Sequence, residues 1–316
     1  MKKYTGLDDI TDLQELIAEA RELKKNPYAF EHLGKRKRLV MLFFNSSLRT
    51  RLSTEKAASN LGMDVTVMNF NSDAWKLEFE DGTVMDADTS EHIKEAAQVI
   101  SQYADVIAVR AFPTLIDKAK DESEYVISSF VKYASVPVVN MESATAHPLQ
   151  ALADAITITE LAQTKKPKVV LSWAPHPKAL PHAVANSCIG MMQKMDVDFT
   201  VTHPKGYELN EAILKDTPVE YDQDAALAEA DFVYVKNWSN YENYGKVQAT
   251  PDSHGNWMLT EEKLGKAKFM HCLPVRRNVI VSDGVLDGSN SVVIEQANNR
   301  TFSAQVVLKK ILENLN

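Results

Sequence analysis

The chain lacks most of the features that would settle its class at a glance. Its 316 residues include only two cysteines, Cys188 and Cys272, far apart and outside any CxxC or Cys/His spacing. That excludes a disulfide framework and offers no zinc site. No uninterrupted apolar run approaches the ~18–20 residues that span a bilayer. The N-terminus, Met1 to Asp9, turns polar and acidic before any apolar stretch, so no secretory signal is visible and a reduced, cytoplasmic setting is expected. Basic residues are the minority, 35 Lys and Arg against 43 Asp and Glu for a net charge of −8, which speaks against a nucleic-acid partner. Neither GxxxxGK[ST] nor GxGxxG occurs, so nucleoside triphosphates and dinucleotides lose support.

What is present is an ordinary globular composition, 45% hydrophobic and 25% charged, in a chain long enough for about two domains. Residues 9–24 place Ile10, Leu13, Leu16, Ile17, Ala20 and Leu23 at helical spacing. Arg38 to Phe44 is a nearly all-apolar run, as expected of a buried parallel strand. Asn45-Ser46-Ser47 offers N-cap residues for a helix to Leu61, with Gly62 as its stop. Strands follow at Asp64 to Asn69, Asp105 to Arg110 and Val136 to Met141, and helices at Glu91 to Tyr103, Glu124 to Tyr133 and His147 to Leu161. After the polar turn Lys165-Lys166-Pro167-Lys168 the pattern restarts. Strands are expected at Val169 to Trp173, Phe199 to Thr202, Phe232 to Lys236, Phe269 to Cys272 and Val292 to Glu295. Helices are expected at His182 to Met195, Ala225 to Ala230 and Ala304 to Leu315. Such alternation predicts an α/β protein with two doubly wound parallel sheets. The polar stretches Asn71 to Ser90 and Asn237 to Gly255 are candidate functional loops.

In such sheets ligands bind beyond the carboxyl ends of the strands. Ser47-Leu48-Arg49-Thr50-Arg51 lies where a strand becomes a helix, so free N–H groups, hydroxyls and guanidinium forks suit a phosphate; the same residues also fit a plain capped helix. His147-Pro148-Leu149-Gln150 opens a helix, with a His able to donate to an oxyanion and a Gln able to hold an amide; a surface His before a helix-start Pro is the alternative. Cys272 beside His271 suggests a nucleophile, or a small apolar residue, and Arg276-Arg277 fits an anionic ligand better than acyl-enzyme chemistry. His203, His254 and Asp8-Asp9 carry no spacing signal and read as surface, and Met191-Met192 reads as core.

Taken together, Ser47-x-Arg49-Thr50-Arg51, His147-Pro148-x-Gln150 and His271-Cys272-Leu273-Pro274 resemble, in order and distance, the aspartate and ornithine carbamoyltransferases. The resemblance spans nearly the whole chain. It points to the N-acylornithine branch, because the Ser-Met-Gly motif of ordinary ornithine enzymes is missing while Trp75, Glu142, the Trp173-Ala174-Pro175-His176-Pro177 turn and Arg276-Arg277 are present. Where the acetyl-specific enzymes carry a Glu, this chain has Ser90, and where they carry a Lys it has Ile280. Both departures look like succinyl-specific enzymes, since a Glu near the acyl tail would repel a succinyl carboxylate. The succinyl-specific enzymes it resembles carry Pro at the first position, where this chain has Ser90.

The resemblance implies transfer of a carbamoyl group from carbamoyl phosphate to the δ-amine of N-succinyl-L-ornithine, in arginine biosynthesis. N-acetylornithine, free ornithine and a catalytically silent homologue are the alternatives. It implies a first domain, 1–146 with the returning helix 301–316, for carbamoyl phosphate, and a second, 147–300, for the N-acylornithine, with closure between them. By the same resemblance Ser47, Leu48, Arg49 and Thr50 grip the phosphate and Arg300 reaches it, with Trp75 contributed by the neighbouring subunit of a homotrimer. Arg110, His147 and Thr50 polarise the carbonyl, while Gln150 and the carbonyls of Cys272 and Leu273 hold the carbamoyl NH₂. Pro148 and Leu149 line the substrate, Glu142, His176, Lys236 and Arg276 bind the acceptor, and Ser90 and Lys178 lie toward its acyl tail. No metal and no cofactor is implied.

Overall fold

The computed structural model describes residues 1–246 and 254–315. The chain forms two compact units, Met1–Leu149 with Arg300–Asn316, and Gln150–Asn299.

The first unit is built on a parallel sheet of β1 (Arg38–Phe43), β2 (Asp64–Asn69), β5 (Val106–Arg110) and β6 (Val138–Glu142), in the order β2-β1-β5-β6. The strands of β1 and β5 are buried almost throughout, which is why they read as continuous apolar runs rather than alternations. Two-residue strands β3 (Leu77–Glu78) and β4 (Glu91–His92) pair outside this sheet. The helix after β1 runs Arg49–Asn60 and stops where expected, because Gly62 has φ +78° and a Cβ there would lie 2.3 Å from the Glu31 carbonyl oxygen. The first helix, Leu13–Lys25, starts later than its periodicity suggests because Asp12 accepts from the Glu15 N–H at 2.9 Å.

The end of the chain corrects the expected strand at Val292 to Glu295. One 20-residue helix, Val293–Leu312, takes its place and absorbs the helix expected from Ala304. The short β-branched run Val292-Val293-Ile294 looked like a strand, but it is the first turn of a long helix whose later face is deeply buried. Within the first unit that helix is fastened by Gln305 to Asn60 (2.9 Å), by Ser303 to the Leu149 carbonyl (2.8 Å) and by Lys309 to Glu19 (2.9 Å).

The second unit holds a parallel sheet of β7 (Lys168–Trp173), β8 (Asp198–Thr202), β9 (Val219–Glu220), β10 (Phe232–Lys236) and β11 (Lys268–Met270), in the order β11-β10-β7-β8-β9. The strand order reverses between β7 and β10, and between β1 and β5 in the first unit, which are the places where such sheets bind ligands. Helix Ala183–Met192 covers the second sheet with Met191 and Met192 both buried. Among the described residues no helix is long and apolar enough to cross a membrane.

Three local readings change. His203 is fully buried, with Nδ1 at 2.9 Å from the Pro204 carbonyl and its ring against Trp238 and Tyr221; a single His carries no sequence mark of that burial. Asp9 closes a local turn by accepting from the Thr5 N–H at 2.6 Å. Of the loop expected from Asn237 to Gly255, positions 247–253 lie outside the described residues, while Trp238 at its start is completely buried and donates to the Tyr207 carbonyl at 2.8 Å.

Candidate active site

In the first unit, three neighbouring strands end side by side, and the segments that follow them meet. The Phe44 N–H donates to the Arg110 carbonyl (2.9 Å), the Phe112 N–H to Asn45 Oδ1 (2.6 Å) and the Ala111 N–H to the Glu142 carbonyl (2.9 Å), tying the ends of β1, β5 and β6 together. Parallel register brings Phe43 beside Arg110, and Arg110 beside Glu142, with an irregularity at Val109/Arg110 that re-aims the arginine.

A compact charged group results. Arg110 Nη1 donates to Thr50 Oγ1 at 2.9 Å and lies 3.1 Å from Glu142 Oε2, and its guanidinium stacks 4.5 Å from the centre of the Phe112 ring. Arg300 Nη2 donates to the same Thr50 oxygen at 2.6 Å, and His147 Nε2 lies 3.4 Å from Glu142 Oε2. Thr50, Arg110, Glu142, His147 and Arg300 are all buried. Thr50 Oγ1 has two lone pairs and both receive a guanidinium N–H, so its own proton points elsewhere, available to an acceptor such as a phosphate oxygen. Two arginines against one carboxylate leave this cluster cationic although the chain is acidic.

The helix start beside it adds donors suited to an anion. Ser47 Oγ accepts from the Thr50 N–H at 3.2 Å, one residue outside the position the backbone marks as the cap, Leu48. Leu48 is exposed and Arg49 half-buried. The first-turn N–H groups and the positive helix end add to the field of the arginines. Arg51 instead pairs with Glu55 at 3.3 Å on the surface. Pro148 and Leu149 are buried, and the Pro148 carbonyl accepts from the Tyr4 hydroxyl at 3.3 Å.

Trp75 and Ser90 stand apart from this group. Trp75 is 55% exposed and donates from its indole to Glu91 at 2.8 Å; Ser90 is exposed, its N–H bonded to the Lys76 carbonyl at 3.0 Å. More than half of this large apolar side chain is left exposed on a polar loop.

In the second unit the ends of β7, β10 and β11 form another group. Arg276 Nε donates to His176 Nε2 at 3.2 Å. His176 Nδ1 lies 2.9 Å from the Lys178 carbonyl and 3.0 Å from the Lys178 N–H; because Arg276 Nε can only donate, Nε2 is the accepting nitrogen. Burial pushes the His176 pKa down, the Lys178 carbonyl offsets part of this, and the positive charges of Lys236, Arg276 and Lys178 lower it further. A neutral imidazole is thus held among three cations, a setting that suits an incoming carboxylate. Arg276 and Lys178 are exposed and Lys236 is half-buried.

Gln150 belongs to this unit and is held by partners that sequence reading missed. Its amide donates to Asp154 Oδ1 at 2.7 Å, the Gln296 amide donates to the same oxygen at 2.7 Å, and Gln296 Oε1 accepts from the His271 N–H at 2.9 Å. The Leu273 N–H donates to His271 Nδ1 at 2.8 Å, and Leu273 has a left-handed φ of 54°. So Gln150 and the 271–273 segment share one buried relay through Asp154. Only the four-residue step from Gln150 to Asp154 on a helix hinted at it. Cys272 is half-buried and a free thiol. Arg277 corrects the expectation of a ligand-facing arginine pair: it is bound to Asp287 through both nitrogens (2.7 and 2.6 Å) and to Asp283 at 2.9 Å.

These arrangements gather cationic side chains and hydrogen-bond donors of the kind an anion requires; among the described residues no group of His, Cys, Asp and Glu fits a metal ion. Residues 2–160 match the model for the carbamoyl-P binding domain of the aspartate/ornithine carbamoyltransferases, and residues 181–311 the model for their Asp/Orn binding domain. The chain belongs to this family. The carbamoyltransferase is 49% identical, over the full length of both chains, to N-succinylornithine carbamoyltransferase of Bacteroides fragilis. It is 38% identical to N-acetylornithine carbamoyltransferase of Xanthomonas campestris pv. campestris, covering 95% of this chain and 94% of that one. Among solved structures it resembles a serine-for-glutamate mutant of N-acetyl-L-ornithine transcarbamylase complexed with carbamyl phosphate and N-succinyl-L-norvaline, with TM-score 0.92 and 38% identity over 98% of this chain and all of that one.

Proposed function

We propose that this carbamoyltransferase uses carbamoyl phosphate and N-succinyl-L-ornithine to form N-succinyl-L-citrulline and phosphate, in the biosynthesis of arginine. The observation that carries the reaction is the cluster in which Arg110 and Arg300 both donate to the Thr50 hydroxyl while Arg110 and His147 both face Glu142 Oε2. The observation that favours succinyl is the full-length similarity to N-succinylornithine carbamoyltransferase, supported by Ser90. A solved relative that binds a succinyl compound carries serine in place of a glutamate, which accords with a small neutral residue tolerating the extra carboxylate.

The first unit supplies the donor side. Ser47, Leu48 and Arg49 grip the phosphate with Thr50, which donates the proton its lone-pair contacts leave outward; Arg300 adds positive charge. Arg110 and His147 face the carbamoyl oxygen and stabilise it as it gains charge. The second unit supplies the acceptor side. His176, Lys236 and Arg276 hold carboxylate, Lys178 offers countercharge, and Gln150 with the Cys272 and Leu273 carbonyls orients the NH₂ group.

The δ-amine must arrive neutral, against a pKa near ~10.4 in water, and a carbonyl-lined site partly removed from water lowers that value. Its nitrogen attacks the carbamoyl carbon, the new N–C bond forms, and the C–O bond to phosphate breaks with its electrons on the leaving oxygen. The amine proton passes to the departing phosphate. Catalysis is positioning and electrostatics. Trp75, more than half exposed, fits a loop that a neighbouring subunit of a homotrimer receives. The free thiols Cys188 and Cys272 fit a reducing compartment, the cytoplasm.

The test is carbamoyl phosphate with N-succinylornithine, N-acetylornithine, ornithine or aspartate in parallel, reading ureido product. Product from N-succinylornithine at the highest kcat/KM is expected; preference for free ornithine, or no product at all, sinks the proposal.

A further inference from the structure

The turn at 143–146 joins Glu142, the last residue of β6, to His147, and no glycine or proline within it fixes its shape. Its order comes from elsewhere. Glu124 precedes the helix Tyr125–Tyr133 with φ 52° and ψ 36°, a left-handed backbone that glycine holds more readily than any residue with a side chain. Its carboxylate does not cap its own helix. It reaches across to the turn, where Oε1 accepts from Ser143 Oγ (2.7 Å), the Thr145 N–H (2.8 Å) and Thr145 Oγ1 (2.6 Å), and Oε2 from the Ala144 N–H (3.2 Å). Behind it, Asn140 donates to Ser143 Oγ at 2.8 Å, and the Ser143 N–H donates to the Ala146 carbonyl at 2.8 Å. The side chain, then, occupies a costly backbone position and spends its acceptors on three consecutive residues of one turn.

We propose that Glu124 is a positioning residue: its carboxylate shapes the turn 143–146 and thereby sets His147 against Glu142. The proposal rests on the reading that those two residues serve the carbamoyl transfer. Glu124 touches no substrate. It acts on a segment whose two ends both enter the charged cluster, and a displacement of about 1 Å there slows a reaction roughly 100-fold.

The test uses Glu124→Gly, which removes the carboxylate while suiting the left-handed backbone, and Glu124→Gln, which keeps an oxygen at the Oε1 position. Turnover is read beside the inhibition constant of inorganic phosphate, which reports the separate grip at 47–50. The expected result for Glu124→Gly is a folded protein with kcat lowered about 10- to 100-fold and phosphate inhibition unchanged, with partial recovery in Glu124→Gln. Thr145→Val should lower kcat in the wild-type background and add nothing to Glu124→Gly. Wild-type turnover in Glu124→Gly, or turnover and phosphate affinity falling together, overturns the proposal. Should Glu124→Gly not fold, wild-type turnover in Thr145→Val overturns it. Wild-type turnover in His147→Ala would instead refute the underlying assignment of His147, and is separable from both.

Discussion

The hydroxyl of Thr50 accepts a hydrogen bond from Arg300 at 2.6 Å, across 250 positions of the chain. A residue of the last helix thus completes a site opened at the first strand. A charge-assisted hydrogen bond of this kind is worth ~1.5–3 kcal/mol. Arg300→Ala should therefore raise the KM for carbamoyl phosphate about tenfold to a hundredfold on that scale, measured by steady-state kinetics with saturating acceptor. An unchanged KM would show that Arg300 only packs the helix.

In the proposed reaction Arg110 faces the carbamoyl oxygen. Removing one donor to a developing oxyanion costs about 100- to 1,000-fold in turnover, so Arg110→Ala should lose at least about two orders of magnitude. Trp75→Ala should also be impaired, if the loop serves a neighbouring subunit. Mixing the two variants after reversible dissociation would then restore activity in roughly a quarter of the sites, since each site draws its loop and its body independently. No recovery on mixing argues that both residues act within one chain.

The lowered pKa of His176 has a definite sign. Above pH 6.5 the imidazole is neutral whether folded or unfolded, and its contribution to stability is fully present; that contribution is lost as pH falls from 6.5 through the lower folded value. Buried His203, also lowered, acts in the same direction. Denaturation midpoints should accordingly be flat from pH 8 to 6.5 and decline below. Acceptor KM should be flat over the same range and rise below it, because protonated His176 no longer accepts from Arg276. In His176→Gln the dependence of KM should flatten; an undiminished dependence would place its origin elsewhere.

Ser90 gives the specificity prediction. Ser90→Glu puts a carboxylate near the proposed acyl tail, so kcat/KM for N-succinylornithine should fall by about tenfold or more while that for N-acetylornithine falls less, like charges in contact costing on the order of a kcal/mol or several. Equal losses for the two acceptors would remove Ser90 from the recognition of the acyl group.

The sequence by itself determined the local elements and the chemistry on offer. Apolar runs marked β1, β5 and β10 because a strand buried on both faces is apolar nearly throughout, and Gly62 marked a helix end because only glycine fits beside Glu31. Motifs at strand ends named Thr50, Arg110, His147 and Gln150 for the same reason that ligands bind there. Tertiary structure decided what touches what. Val292-Val293-Ile294 reads as a strand on its own and is helical because the residues after it pack as one long helix. Arg276 and Arg277 are neighbours with equal charge, yet one faces His176 and the other is engaged by Asp283 and Asp287. The burial of His203, the relay through Asp154 and Gln296, and the hold of Glu124 on the turn before His147 all join residues remote in sequence. Periodicity reports which face a residue turns to the core, and it carries no record of the partner waiting there.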